Sequence, residues 1–483
     1  MSITRALSNA MSGLTATARG TELVSANIAN VMTPGYARRE LAISPQSMGG
    51  NLGGVRIDGV VRAVNLSMLS ESRLASAAQG EAATRAAFLS SIETVIGMPG
   101  QAGGLAARLT GFQSALASAA ARPDDDLRLQ QVLRAATDLT RGFTTATDAL
   151  QSARAEADRS IATEIAALND GLEQVANLNR RISALEATGQ DAASLMDERQ
   201  RIVDRISTIV PLKEVARDGG KIALFTQEGL ALLDGTRPLQ LGFSHAPVID
   251  AHMTVGSPLS LVSVDGTALD PGQMRLLAGG SLSGHFAIRD ELAPALQRDL
   301  DLLALDLQAR LSDPAVDPTL AGGPGLFTDA GGLATAASAT GLAGRIAINA
   351  AADPAQGGSL WQLRAGLGAP AAGPVSETAR LNAMAAALDA VRPPAGGPPG
   401  GARASLPERL AEFGAALTTR RVGSEADLAA RNARLNTISE RMLTGGVDSD
   451  AEMQKLLQYE QAYAANARVI RALDDMINQL LRI

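Results

Sequence analysis

The chain has no cysteine among its 483 residues, and aromatic side chains make up only 2% of it. The first absence removes disulfides, zinc thiolate sites and thiol nucleophiles. It suits a protein exported without an oxidative folding step, and equally a cytosolic one. The second stands against 46% hydrophobic residues, mostly Ala, Leu, Val and Ile, a mixture that favours long, closely packed helices over aromatic-rich globules. An excess of positive charge is missing too. A net charge of −7 with no basic face argues against nucleic acid and against an anionic membrane surface as partners. No run approaches the ~20 apolar residues of a membrane span, so no membrane insertion is expected. The first twenty residues carry Arg5 and Arg19 and no continuous apolar stretch, so export is expected to use a route that reads no cleaved signal.

Catalytic signatures are also lacking. His245 and His252 lie seven apart without a third ligand at useful spacing; with His285 they are read as solvent-exposed. Asp124, Asp125 and Asp126 follow Pro123 and read as a helix cap rather than a cation site. The glycine run at 279–284 has no Lys-Ser/Thr pair after it, which rules out a P-loop, and 322–325 is a turn. Neither a Gly-x-Ser-x-Gly elbow nor a His-Glu-x-x-His pair occurs. No catalytic, cofactor or metal site is expected, and the chain is read as a non-enzyme.

What is present lies at the two ends. Ile3, Leu7, Met11, Leu14, Ala18, Thr21 and Ile28 form an apolar stripe at helical spacing. At the other end Leu456, Tyr463, Ile470 and Ile477 make one row, and Tyr459, Asn466, Leu473 and Leu480 make its partner. Such ends are expected to pair, and many copies pairing side by side would build a tube. Asn466 is expected to face a partner helix, where a buried Asn fixes register at a cost in stability. Asn27 and Asn30 either do the same or cap the helix end. Thr33-Pro34-Gly35-Tyr36 then has the chemistry of a type II turn.

The interior is nested between these ends. Residues 1–36 form a terminal helix and its turn, and 37–80 read as an extended linker or hairpin. Residues 81–211 read as helical, with breaks at 99–104 and 123–126 and a coiled-coil-like seam of Ile161, Leu168, Val175 and Ile182. A β-rich insertion is expected over 212–285, with a hairpin signal at Asp265-Gly266. A returning helix spans 286–311, striped by Leu292, Leu296, Leu300, Leu303, Leu307 and Leu311. A Gly/Ala/Pro-rich, poorly defined excursion covers 312–375. Residues 376–445 resume the helical bundle around a Pro/Gly linker at 393–401, and 446–483 form the terminal helix. The expected fold is mainly α with a β-rich insertion (α+β). The N- and C-terminal helices pair as a coiled-coil-like domain, followed by a helical-bundle domain and a smaller β-rich outer domain. Isolated amphipathic helices are marginal in water, so residues 1–30 and 450–483 are expected to order only when neighbouring subunits cover their stripes.

The run Ala26-Asn27-Ile28-Ala29-Asn30-Val31-Met32-Thr33-Pro34-Gly35-Tyr36 resembles the N-terminal signature of the axial proteins of the bacterial flagellum, shared by rod, hook and hook-associated proteins. The run from Glu452 to Ile470 resembles its C-terminal counterpart. Inside the chain, Asn177 to Ile182, Leu195 to Ile206, the glycine-rich turn before Arg289-Asp290-Glu291-Leu292, and Gly325-Leu326-Phe327-Thr328 are similar to the hook-associated proteins of the FlgK family. Gln200 stands where that family implies an acidic residue. The resemblance implies a structural subunit that joins hook to filament, sits outside the cell in the flagellum and is exported by the flagellar type III apparatus. It implies as partners other copies in a ring, the hook protein, a second junction protein, and an export chaperone at the C-terminal helices. The assembly interface would comprise Ile3, Leu7, Met11, Leu14, Asn27, Ile28, Asn30, Pro34, Gly35 and Tyr36, with Leu456, Tyr459, Tyr463, Asn466, Ile470, Leu473, Ile477 and Leu480. Rival readings are a distal rod or hook subunit, against which the long helical interior argues, and an enzyme carried on coiled-coil ends, which lacks a recognisable nucleophile or carboxylate motif.

Overall fold

One helix organises the molecule. In the computed structural model, which describes residues 3–33, 35–48, 51–97, 101–396, 402–444 and 446–480, helix α4 (Asp126–Ala187) runs for 62 residues. At 1.5 Å per residue that is about 93 Å. It starts where the three aspartates predict a cap: the Asp125 side chain accepts from Leu127 N at 2.9 Å, and Asp126 adds negative charge to the first turn.

Around it the chain order is α1 (Ile3–Ala29), β1 (Arg38–Met48), β2 (Asn51–Ala63), α2 (Leu66–Ile96) and α3 (Leu105–Ala121), then α4 and α5 (Ala193–Ile206). A four-stranded antiparallel sheet follows, β3 (Leu212–Ala216), β4 (Ile222–Thr226), β5 (Ala231–Asp234) and β6 (Arg237–Pro238), paired in that order. Five two-residue strands occupy 241–268. Helix α6 (Gly280–Ala287) runs through a π turn (Ile288–Leu292) into α7 (Ala293–Leu311). A small hairpin pairs Phe327–Asp329 with Ile346–Ile348, and α8 (Leu342–Arg345) leads into its second strand. Then come α9 (Gln362–Ala365), α10 (Ala379–Asp389), α11 (Leu406–Thr444) and α12 (Ser449–Leu480). Among the described residues no helix is long and apolar enough to cross a membrane.

The first half of α4 lies in one core. Leu129, Leu139, Phe143 and Leu150 pack there with Phe112 of α3, Leu300 and Leu307 of α7, Phe327, and Leu381 and Leu388 of α10. The second half lies in another. Ile161, Leu168, Val175 and Ile182 meet Val203 and Ile206 of α5 and Leu224, Leu233, Leu241 and Val262 of the β region. The seam read as coiled-coil-like is thus covered by a sheet and a short helix of the same chain. Heptad spacing marks a buried face without specifying what buries it.

The cores meet at a polar waist. Asp158 and Arg289, both 0% exposed, pair at 2.6 Å, and Asp158 also accepts from Ala246 N at 2.6 Å. Arg154 donates to the carbonyls of Arg289, Asp250 and Met253. Arg289 also pairs with Asp290 at 2.7 Å and lies over the rings of Phe243 and Phe286. It belongs to the π turn, a wider turn of the kind that re-aims side chains.

Several boundaries differ from the sequence reading. Helix α2 begins at Leu66 rather than 81, so the extended segment is only the β1–β2 hairpin; Asn65 caps the helix by accepting from Met68 N at 3.1 Å. Its buried face includes Ala75, Ala77, Ala82 and Ala86, which give little hydropathic contrast. The returning helix starts at Gly280 rather than 286. Its first N–H groups donate to the Thr208 and Ile209 carbonyls, and Gly280, at φ +72°, has no room for a side chain against them. The 312–375 stretch is well defined: Leu326, Phe327, Leu342, Ile346 and Leu363 are buried in the first core. Arg364 ties it down by donating to Pro123 O, Ala372 O and Val375 O. Of the 393–401 linker, 397–401 lie outside the described residues.

Candidate assembly interface

Helices α1 and α12 lie antiparallel in a register that three pairs define. Asn466 packs against Gly13, the Tyr459 ring covers Gly20, and Glu452 bonds Asn27. Seven residues forward on one helix match seven back on the other. A Cβ on Gly20 would stand 2.6 Å from the Tyr459 ring, and one on Gly13 2.8 Å from Asn466 Nδ2. The seam on α1 is therefore Ala10, Gly13, Thr17, Gly20, Val24 and Asn27, alternating steps of three and four.

This corrects the expected stripe. Met11 is exposed at 57%, Ala18 is exposed, and Ile3, Leu7, Leu14, Thr21 and Ile28 are only half-buried. Small residues won the seam because only they let Tyr459 and Asn466 reach the α1 backbone; hydropathy alone points to the larger side chains one position over. On α12 Leu473 is buried and Tyr459 and Asn466 face α1, whereas Tyr463 is 46% exposed and Leu456, Ile470 and Ile477 are half-buried. Pro34, and the side chain of Leu480, lie outside the described residues. The terminal helices are also not isolated stripes awaiting a neighbour, because each covers one face of the other.

The pair is locked at one end by Asn27, 1% exposed. Its amide nitrogen donates to Arg39 O at 2.9 Å and Glu452 Oε2 at 2.8 Å. Its oxygen accepts from Arg39 N at 2.9 Å and the Tyr36 hydroxyl at 2.8 Å. Every hydrogen-bonding position of the amide is used. Burial raises the Tyr36 hydroxyl above its ordinary pKa against the opposing effect of Arg39, which keeps the donor protonated. Lys455 reaches Glu452 at 3.1 Å and Glu40 at 3.9 Å. Asn30 plays the other role, closing the helix: it donates to Ala26 O and accepts from Thr33 Oγ1. Glu452 is the residue that sequence reasoning left off the site; its heptad spacing from Tyr459 and Asn466 was the available signal.

A second lock fastens the terminal layer to the interior. Asp197 of α5, 10% exposed at its side chain, accepts from Arg62 at 2.8 Å and Arg39 at 3.2 Å, both on the hairpin, and from Ala37 N. Gln200 accepts from Arg62 at 2.8 Å, so a neutral amide serves this position. Gly35, at φ +78°, leaves no room for a side chain against Arg201. Arg73 of α2, itself buried, joins Asp204 at 2.6 Å and Glu214 at 2.7 Å. Arg199 bonds Asn179 Oδ1 of α4 at 2.8 Å. The segments singled out at 26–36, 177–182 and 195–206 thus form one connected joint. Of the histidines, His245 and His252 are exposed, but His285 is half-buried 3.7 Å from Glu164, contrary to the reading of all three as solvent-exposed. Among the described residues no group of three or more His, Cys, Asp or Glu is placed to hold a metal.

Known proteins match the same layout. A family model described as the flagellar hook-associated protein FlgK helical domain matches residues 89–313. One for flagella basal body rod protein matches 7–36, and one for the flagellar basal body rod FlgEFG protein C-terminal matches 441–483. Flagellar hook-associated protein 1 of Escherichia coli (strain K12) is 26% identical over 310 residues, 62% of this chain and 55% of that protein. The protein of the same name from Bacillus subtilis (strain 168) is 23% identical over 515 aligned positions, covering 99% of this chain and 96% of that one. A solved flagellar hook junction protein FlgK from Burkholderia pseudomallei aligns with a TM-score of 0.45 and 20% identity over 54% of this chain and 46% of that one. The chain spans about half the length of the first curated relatives it matches. With rod-type models at both ends and the FlgK helical-domain model between them, the chain resembles the flagellar hook-associated proteins of the FlgK family from end to end.

Proposed function

We propose that this chain is a structural, non-catalytic subunit of the bacterial flagellum that joins hook to filament and assembles through the outward faces of α1 and α12. The observation that supports this most is the division of labour in the terminal pair. Small residues let the helices close on each other, and several large apolar ones are left outside: Met11 at 57%, Leu457 at 54% and Tyr463 at 46% exposed. Contiguous exposed apolar side chains mark interaction sites. Copies placed side by side in a tube bury such faces through heterologous contacts that repeat without closing on a two-fold axis. The same reading makes the protein extracellular, exported by the flagellar type III apparatus. A chaperone shields α12 before assembly, and hook protein and a second junction protein are its axial neighbours. The rod or hook alternative is disfavoured because the FlgK helical-domain model covers 89–313 of the interior.

The test is the double variant Leu457→Asp with Tyr463→Asp. Its circular dichroism and thermal midpoint should match the parent, because both side chains are outside the seam. Cells relying on it should carry hooks without filaments and fail to swim. Normal filaments on such cells would sink the proposal.

A further inference from the structure

The described surface holds an apolar knob and an apolar-floored groove that do not serve each other. The knob is Val31 and Met32, just past α1, exposed at 38% and 89%. The groove, about 810 Å³, opens between β2 and the α4–α5 turn, with Val60, Val61, Ala192 and Met196 along it and Glu186 and Asp191 at its lip. The loop that bears the knob is anchored by Gly35 on Arg201 of α5, whereas the groove uses Met196 of the same helix. Five residues on a helix are about 140° around its axis. Knob and groove therefore look in different directions, and a chain does not fill its own groove. Charge agrees with this arrangement. Among the described residues, Glu186 and Asp191 have no ion-pair partner, nor does Arg201 beside the knob, whereas Arg19 and Arg62 in the groove are paired with Glu22 and Asp197.

We propose that Val31 and Met32 of one copy insert into the β2–α5 groove of a second copy, with Arg201 meeting the Glu186–Asp191 lip. The contact joins two different patches, so it propagates head to tail. It rests on the reading of the chain as a subunit that assembles with copies of itself. It adds a specific contact at the joint, away from the α1 and α12 faces.

The absence of cysteine makes disulfide trapping clean. Met32→Cys combined with Val61→Cys, oxidised both as concentrated purified chain and in flagella isolated from cells producing it, should give a ladder of dimers, trimers and longer species. Met32→Cys alone should stop at dimers. Met32→Cys with Val248→Cys, an exposed site elsewhere, should do the same. Arg201→Glu added to the trapping pair should lower the ladder yield about three-fold, the size expected of one exposed ion pair. Absence of the ladder from both preparations, or an equal ladder from the Val248 control, overturns the proposal. A chain that builds junctions without the ladder sinks this contact alone. One that forms the ladder but never enters a flagellum sinks the junction function alone.

Discussion

The interior and the terminal layer solve the same packing problem in opposite ways. In the interior, Phe112, Leu139, Leu168 and Leu300 sit at 0–1% exposure, and the two cores they belong to are stitched by the buried Asp158–Arg289 pair. In the terminal layer the seam is built from Gly13 and Gly20 under Asn466 and Tyr459, register is held by the Asn27–Glu452 bond, and several large apolar groups, Met11, Leu457 and Tyr463 among them, face out. The interior buries its large side chains; the terminal layer leaves several of its own exposed. On the proposed function, a region that folds and a region that assembles would be distinguished by which side chains each one hides.

The most forceful way to probe the closed half is Asp158→Ala. It leaves Arg289 buried with only Asp290 beside it and removes the acceptor of Ala246 N. Breaking one partner of a buried pair costs about 3–5 kcal/mol, and the main denaturant-unfolding transition should fall by that much. A loss below about 1 kcal/mol would mean that Asp290 alone satisfies Arg289, and the waist would not couple the cores.

Gly20→Ala attacks the other half. The new methyl meets the Tyr459 ring and should force α12 away from α1, a local cost of about 1–3 kcal/mol typical of overpacking. Hydrogen exchange should speed up in α12 and in the first helix, while the midpoint of the main transition stays put. If the whole molecule lost stability together, the terminal pair would be part of the interior and the contrast would collapse. Asn27→Ala should produce the same pattern at a similar size, because it takes the Asn27 partner from Glu452 Oε2 and from the Tyr36 hydroxyl.

The parts legible in sequence were those with either strong periodicity or a motif. The heptads at 161–182, the leucine stripe of α7, the Asp125 cap and the segments around Asn27 and Asp197 all stand out because spacing and residue type agree. The seam of α1 was less legible for a physical reason: glycine and alanine contribute little hydropathy, and their value lies in what they let approach. The N-terminal part of α2 escaped for the same reason. Order in 312–375 was hidden because it is achieved by tertiary bonds, such as those of Arg364 and of Asp301 to Gly341 N and Ala343 N, that have no local period.

The smallest effect tests how completely the interior is closed. Glu164 of α4 lies against His285 of α6, and burial pushes its carboxyl up to about 7, with Ser281 opposing the rise. Burial also lowers His285, against the pull of Glu156. For Glu164 the fold binds a proton that the unfolded chain has released, so its contribution to stability declines from about pH 4.5 to 7 and is fully unfavourable above that. For His285 the unfolded chain binds the extra proton, so stability declines as pH falls below the ordinary histidine value of 6.5. In the native chain the two slopes oppose each other just below pH 6.5. Glu164→Gln removes the first. The variant should be more stable than the parent at pH 8 by about 1–2 kcal/mol after discounting for the partial exposure of the side chain, and equal to it near pH 4. Its own stability should then rise with pH on the approach to 6.5, the histidine slope left unmasked. Urea midpoints across pH 4 to 8 read this directly. A variant no more stable than its parent at pH 8 would show that water reaches Glu164, and that the interior is less closed at the α4–α6 contact than its cores on either side.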